Sequence, residues 1–283
     1  MPVRGYATYR LLVELPALPL SESLSLWTGT IASSHRVYWD GRPVHVAGRP
    51  AARIADYELG WDTALTPLPS SDTQAVSGRT VELLIHVANH ETDVGGPILS
   101  SYLGRTQDLM RDYTGSLAVS FVLLGVFLIM ACYHLVLFSF RGDHSLAYFA
   151  LLCFGLALFV ATTEQLPLDL VFPNMPDSIL YRILLLSLPL SLFAIERFVA
   201  SVFPREIFPF VSRAVAWIAA PFTLFSVFGP LRWVTAMQPW LESFLLIVGV
   251  YMLIVLSRAM LRGRSGSRFF LAAVSVLVVA AAW

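Results

Sequence analysis

The chain has 283 residues, 57% of them apolar and only 13% charged, with 19 acids balancing 19 basic residues to a net charge of zero. A mean hydropathy of +0.69 is too high for an ordinary soluble globule, and the neutral balance offers no basic surface for nucleic acid. Every basic residue is arginine, and the two cysteines, Cys132 and Cys153, sit in apolar runs as small apolar groups buried in lipid or in the bundle, so no disulfide framework is expected.

The first hundred residues read as β structure. Ala7 to Leu15 and Leu24 to Ile31 are expected strands, and His35 to Val46 (HRVYWDGRPVHV) is the clearest local signal. Asp40-Gly41 divides two runs rich in valine and aromatics, and the primed turns of two-residue hairpins need the positive φ that Asp and Gly tolerate. Glu82 to His90 gives a further strand, while the Pro, Gly, Ser and Asp clustered at 60 to 79 read as a long loop or a weakly paired edge. Short strands with turn signals predict an all-β sandwich or jelly roll.

Chemistry is sparse in this half. His35, His45, His86 and His90 show no metal-ligand spacing, so surface or strand-packing roles are expected, with no metal, no cofactor and no catalytic residue. Alternation along a strand places His86 and His90 on one face. Arg36, Trp39, Asn89 and His90 are the candidate ligand-binding residues, with Trp61 as a further aromatic. Aromatic faces and amides suit a carbohydrate. The competing reading, which weighs more for any one of them, packs Trp39 in the sandwich core and uses Asn89 to hold a turn.

From Tyr113 the composition changes. Tyr113 to Phe140 holds 28 residues without an acid or an arginine, and a bilayer core needs about 20 apolar residues in a helix. Further spans are expected at Leu146–Thr162, Ile179–Phe203, Ala214–Phe228 and Trp240–Leu256, with a sixth beginning at Phe269 and a seventh missing. The domain division is therefore 1–112, an extracytoplasmic sandwich lacking its first strands, and 113–283, a helical transmembrane bundle. Together these make a multi-domain chain, all-β and then α-helical. With no signal peptide before Gly5 and an apolar run still open at Trp283, a fragment is expected.

Arginine sets the orientation. With the sandwich outside, Arg141, Arg205, Arg213, Arg258, Arg262, Arg264 and Arg268 fall on cytoplasmic loops, against Arg232 alone on the opposite side. That bias follows the positive-inside rule, and the 258–268 cluster can also meet anionic headgroups. Trp233 and Trp240 suit the outer interface. His134 reads as a hydrogen-bond partner within the bundle, and Arg197 lies near enough to the inner surface to snorkel. Glu196-Arg197 is therefore not expected to mark a proton path. The spans hold no HExxH and no GxSxG, so no enzyme activity is expected of this chain.

These stretches resemble the bacterial seven-transmembrane receptors with diverse intracellular signalling modules. ATYRLLVELP, ASSHRVYWDGRPVHVAG and ELLIHVANHETDVGGPILSSYLG look like the galactose-binding-like jelly-roll sensor of that family. GVFLIMACYHLVLFSFRGDHSLAYFALLCFGLAL is similar to its first two spans with their short basic turn, and IERFVASVFPRE to a span ending in an arginine before a proline-containing inner loop. The resemblance implies a receptor in the bacterial inner membrane with a periplasmic sensor. Its implied partners are the lipid bilayer, a small-molecule ligand (a carbohydrate is one expectation) and a cytoplasmic signalling module in cis, with a homodimer as a further expectation. The alternative function is a transporter or a membrane-anchored binding protein with an accessory β domain. A transporter would need mid-membrane broken helices or a polar constellation, and the chain offers only Pro189, Pro221 and scattered serines.

Overall fold

The computed structural model describes residues 5–15, 23–68, 80–93, 95–163, 167–173 and 175–282. Among the described residues, seven strands open the chain: β1 (Gly5–Glu14), β2 (Leu24–Ile31), β3 (Ser34–Trp39), β4 (Arg42–Ala47), β5 (Asp62–Pro67), β6 (Thr80–Asn89) and β7 (Tyr102–Arg105). They form two antiparallel sheets, one ordered β1-β6-β3-β4 and the other β5-β2-β7. β6 shows why the sheets pack. Val81, Leu83, Ile85 and Val87 alternate inward with the period of two that a strand imposes, and they meet Leu24, Leu26 and Ile31 of β2 and Val37 and Trp39 of β3. Each such side chain, fully buried, contributes about 1.5–3 kcal/mol.

The β3–β4 hairpin turns at Asp40 (φ 48°) and Gly41 (φ 78°), both in the left-handed region, as expected of Asp-Gly. Trp39 pairs with Arg42 and Tyr38 with Pro43; the register then slips, so that Val37 pairs with His45 and Val44 is the extra residue of a β-bulge. β5 lies inside the stretch read as a loop or weak edge. Among the described residues it is an edge strand, paired with β2 and with a break in its ladder; residues 69–79 lie outside the described residues. Nothing in the sequence marked β7, whose YLGR carries only one strongly β-favouring side chain.

Helices follow: α1 (Thr106–Arg141), α2 (His144–Ala161), α3 (Pro167–Val171), α4 (Asp177–Val202), α5 (Pro209–Phe228), α6 (Leu231–Leu261) and α7 (Ser267–Ala282). Among the described residues, α1, α2, α4, α5 and α6 are long and apolar enough to cross a membrane. Their outward faces carry large apolar side chains such as Phe140, Trp217 and Phe228, a surface that only lipid solvates well. The chain is an integral membrane protein. α1 begins at Thr106, seven residues before Tyr113, and α6 begins at Leu231 rather than Trp240, running through Pro239.

The fold divides into two compact units. One takes in Met1–Val122, Ala161–Tyr181 and Leu231–Thr235, the other Leu123–Val160, Arg182–Pro230 and Ala236–Trp283. The second is built on Leu192, Val199, Phe203, Val215, Val248, Met252, Val255, Leu256 and Ala259 from α4, α5 and α6 and the connection after α4, with Val274 of α7. Arg182 Nη1 donates to the carbonyls of Ser226 (3.2 Å) and Val227 (3.1 Å), so a cation meets the unsatisfied C-terminal end of α5. Glu206, buried, is held by Arg262 and by Arg264 Nε at 3.2 Å. His134 donates from Nδ1 to its own helix at Met130 O (2.9 Å), with the rings of Tyr133 and Phe149 beside it. Glu196 is fully buried with Arg197 Nε 3.7 Å away. Cys132 is exposed and Cys153 buried.

Candidate functional site

A polar cleft of about 520 Å³ opens in the first unit, lined by Gly48, Tyr57, Glu58 and Leu59, by Glu91, and by Pro173 through Ser178 excepting the undescribed residue 174. Its walls come from three segments, each fixed by identifiable bonds. The segment after β4 folds back on itself, Arg49 N donating to Glu58 O (3.0 Å) and Glu58 N to Arg49 O (3.2 Å), while Ser34 Oγ also donates to Glu58 O. His90 pins the same segment: its Nε2–H donates to Ala51 O at 3.0 Å and its ring meets Tyr57 edge-on at 5.1 Å.

The second wall follows β6. Asn89, buried at the strand's end, donates from Nδ2 to Thr92 O (2.8 Å), and its Oδ1 accepts from Thr92 N (3.1 Å) and Thr92 Oγ1 (2.9 Å). This closes a short turn that presents Glu91 to the cleft. The third wall precedes and opens α4. Asp177 Oδ2 accepts from Trp61 N at 3.1 Å, and the Trp61 indole meets Tyr181 edge-on at 4.7 Å. Asp93 N likewise donates to Thr235 Oγ1 at 3.1 Å. Burial pushes the Tyr57 phenol above its ordinary value, so it stays protonated. The cleft thus offers carboxylates from Glu58, Glu91 and Asp177 as acceptors beside a hydroxyl held neutral.

The four residues read from the sequence are placed differently. Asn89 and His90 stand together at the end of β6 and hold the cleft's walls. Arg36 is exposed on β3, paired across the sheet with His86 and Val46. Trp39 is fully buried in the sandwich core. Glu58, Glu91 and Asp177 escaped the sequence reading, because isolated acids in turns look like solvated loop residues until the fold brings them to one opening.

Among the described residues one group could hold a metal: His35, His45 and Asp62, whose ligand atoms all lie within 4.8 Å of one another. His45 Nε2 is 2.8 Å from Asp62 Oδ2, and His35 Nε2 faces Asp62 Oδ1 at 3.4 Å. His35 Nδ1 lies 2.9 Å from the Ser33 carbonyl and so donates its proton there. Burial, partly opposed by the Asp62 carboxylate, pushes the His35 imidazole toward its neutral form.

The family described as 7TM diverse intracellular signalling matches residues 116–283. No curated protein matches the chain. Among solved structures, Ruminococcus gnavus beta-glucuronidase is similar at 16% identity and a TM-score of 0.27, covering 35% of this chain and 19% of that one. The same enzyme in complex with uronic isofagomine is similar at 15% identity, with the same TM-score and coverage. The chain therefore spans about a fifth of the length of those structures.

Proposed function

Because the chain belongs to the 7TM diverse intracellular signalling family, we propose that it is a receptor whose β sandwich binds a small ligand. The bundle carries that event to an output module in the same polypeptide. Residues 1–112 are the sensor and 113–283 the transmitter, in a bacterial inner membrane with the sensor on the periplasmic side. The ligand enters the acceptor-rich cleft at Glu58, Glu91 and Asp177, and its class is a polyhydroxylated molecule such as a carbohydrate. Asn89 and His90 shape that cleft by holding its walls. A ligand drives such a change only through different affinity for two states of the protein.

The observation that carries this reading is the way strands and loops of the sandwich run into helix ends. β7 ends at Arg105 and α1 starts at Thr106, with no linker. Thr106 N donates to Ser23 O (2.9 Å) and its hydroxyl lies 2.9 Å from Ser25 Oγ, so the first turn of α1 is bonded to β2. With Trp61 on Asp177 and Asp93 on Thr235, α1 and α4 begin on bonds to the strands and loops of the sandwich, and α6 meets them within its second turn. A shift in the cleft then reaches α1, α4 and α6 without passing through a flexible tether.

The experiment is thermal unfolding of the detergent-solubilised chain against a panel of mono- and oligosaccharides. The reading expects one sugar class to raise the midpoint with a saturating concentration dependence, and Glu91→Gln to weaken the effect. A panel in which no sugar moves the midpoint contradicts the carbohydrate assignment.

A further inference from the structure

We propose that His35, His45 and Asp62 form a divalent metal site of the zinc class, set where the two sheets of the sandwich meet. The inference does not depend on the receptor reading. His35 comes from β3, His45 from β4, the edge of one sheet, and Asp62 from the start of β5, the edge of the other.

The bulge at Val44 creates the group. Residues directly opposite on antiparallel strands project to the same face. In an unbroken hairpin counted from Trp39–Arg42, His45 would oppose Arg36 and point to the opposite face from His35. The extra residue moves it opposite Val37 instead, on the inward face that His35 shares. One added residue therefore converts two unrelated histidines into a pair whose rings lie 5.5 Å apart.

The donor chemistry fits a cation. With its Nδ1 proton given to the Ser33 carbonyl, His35 presents the Nε2 lone pair, the arrangement by which a backbone carbonyl fixes the tautomer of a metal-bound imidazole. That Nε2 and Asp62 Oδ1 are both buried without a hydrogen-bond partner among the described residues. Two lone pairs facing each other at 3.4 Å repel, and leaving both unsatisfied is costly. A cation between them satisfies both. Tetrahedral zinc with bonds of about 2.0–2.1 Å sets its ligand atoms about 3.3 Å apart, close to the spacing at Asp62. Two imidazoles and one carboxylate suit zinc and its neighbours nickel and copper, not the all-oxygen shells of calcium and magnesium.

Three protein ligands leave a fourth position open. It faces the side on which His45 and Asp62 keep 19% and 29% of their side-chain surface exposed while His35 keeps none. Water or an oxygen of an external ligand would complete the shell there. The ion would also cross-link β4 to β5, two edge strands with no ladder between them.

The test uses the whole chain in detergent, stripped with a chelator, then titrated with Co²⁺ as a spectroscopic probe and with Zn²⁺ in competition. We expect one equivalent of metal per chain, a visible Co²⁺ absorption of tetrahedral type, and its displacement by Zn²⁺. His45→Ala should weaken binding by at least about tenfold, since even losing a partner of a ligand costs that much. His86→Ala, an exposed histidine on the other face of the sheet, should bind as the wild type does. Should His45→Ala fail to fold, the near-isosteric Asp62→Asn takes its place. Failure of the wild type to bind stoichiometrically overturns the site. So does binding that survives both ligand substitutions, or that falls equally with His86→Ala; the group would then be held only by the His45–Asp62 hydrogen bond.

Discussion

Gly48 and Gly60 set how closely the chain can approach itself beside the candidate metal group. A side chain at Gly60 would collide with the backbone of Ala47 and Gly48, and Gly48 holds a φ of +61° with the Glu58 carbonyl against it. Both contacts are with backbone, which cannot swing aside. Gly60→Ala is therefore expected to destabilise the chain by about 1–3 kcal/mol, the usual cost of overpacking, read as a lower unfolding midpoint. Gly115→Ala, in α1 with open space around it, should leave the midpoint unchanged or raise it, since alanine suits a helix better by about 1 kcal/mol. At this scale the sequence was partly legible. Asp40-Gly41 announced its turn because few residues accept positive φ, and Asn89 was readable as a residue that holds a turn. Trp39 suited both a core and a sugar platform, with the core the weightier reading, and it is buried in the core. The face of His45 was not readable, because nothing in RPVHVA marks Val44 as an extra residue.

Elements were legible where one period or one composition ruled them. The five long apolar helices follow from hydropathy alone, with ends displaced by a turn or two where polar residues continue a helix beyond the apolar run, as Thr106 to Asp112 do in α1. β7 was not legible as an element, and β5 only as one side of a loop-or-weak-edge alternative, because edge strands draw their definition from the partner they pair with. Nor was the contact that ties the connection after α4 to the one after α6. Glu206 and Arg262 are 56 residues apart, and the arginine cluster reads from the sequence as a topological signal that can also meet anionic headgroups. The structure gives two of those arginines a buried acid to hold. Glu206 is buried while Arg262 is about half exposed, so Arg262→Ala, which leaves a buried carboxylate with one cation fewer, and Glu206→Ala should each lower stability. Their double mutant should lose less than the sum, with a coupling of about 1–3 kcal/mol. Thermal unfolding of the four proteins in one detergent measures it; strict additivity would show that the pair contributes nothing.

At the scale of the whole molecule, the chain carries a β sandwich, whose polar cleft is walled partly by the segment leading into α4, and helices that bilayer lipid must solvate. The receptor account requires the sandwich outside and the Glu206 clasp inside, as the arginine bias demands. Cysteine labelling in intact cells tests that requirement. In a background without Cys132 and Cys153, Ala55→Cys places a thiol on an exposed turn of the sandwich, and Ser265→Cys places one on the exposed connection before α7. A membrane-impermeant maleimide should label position 55 once the outer envelope is permeabilised, and position 265 only after the inner membrane is breached. Labelling in the reverse order, or of both positions at once in intact inner membranes, would contradict the account.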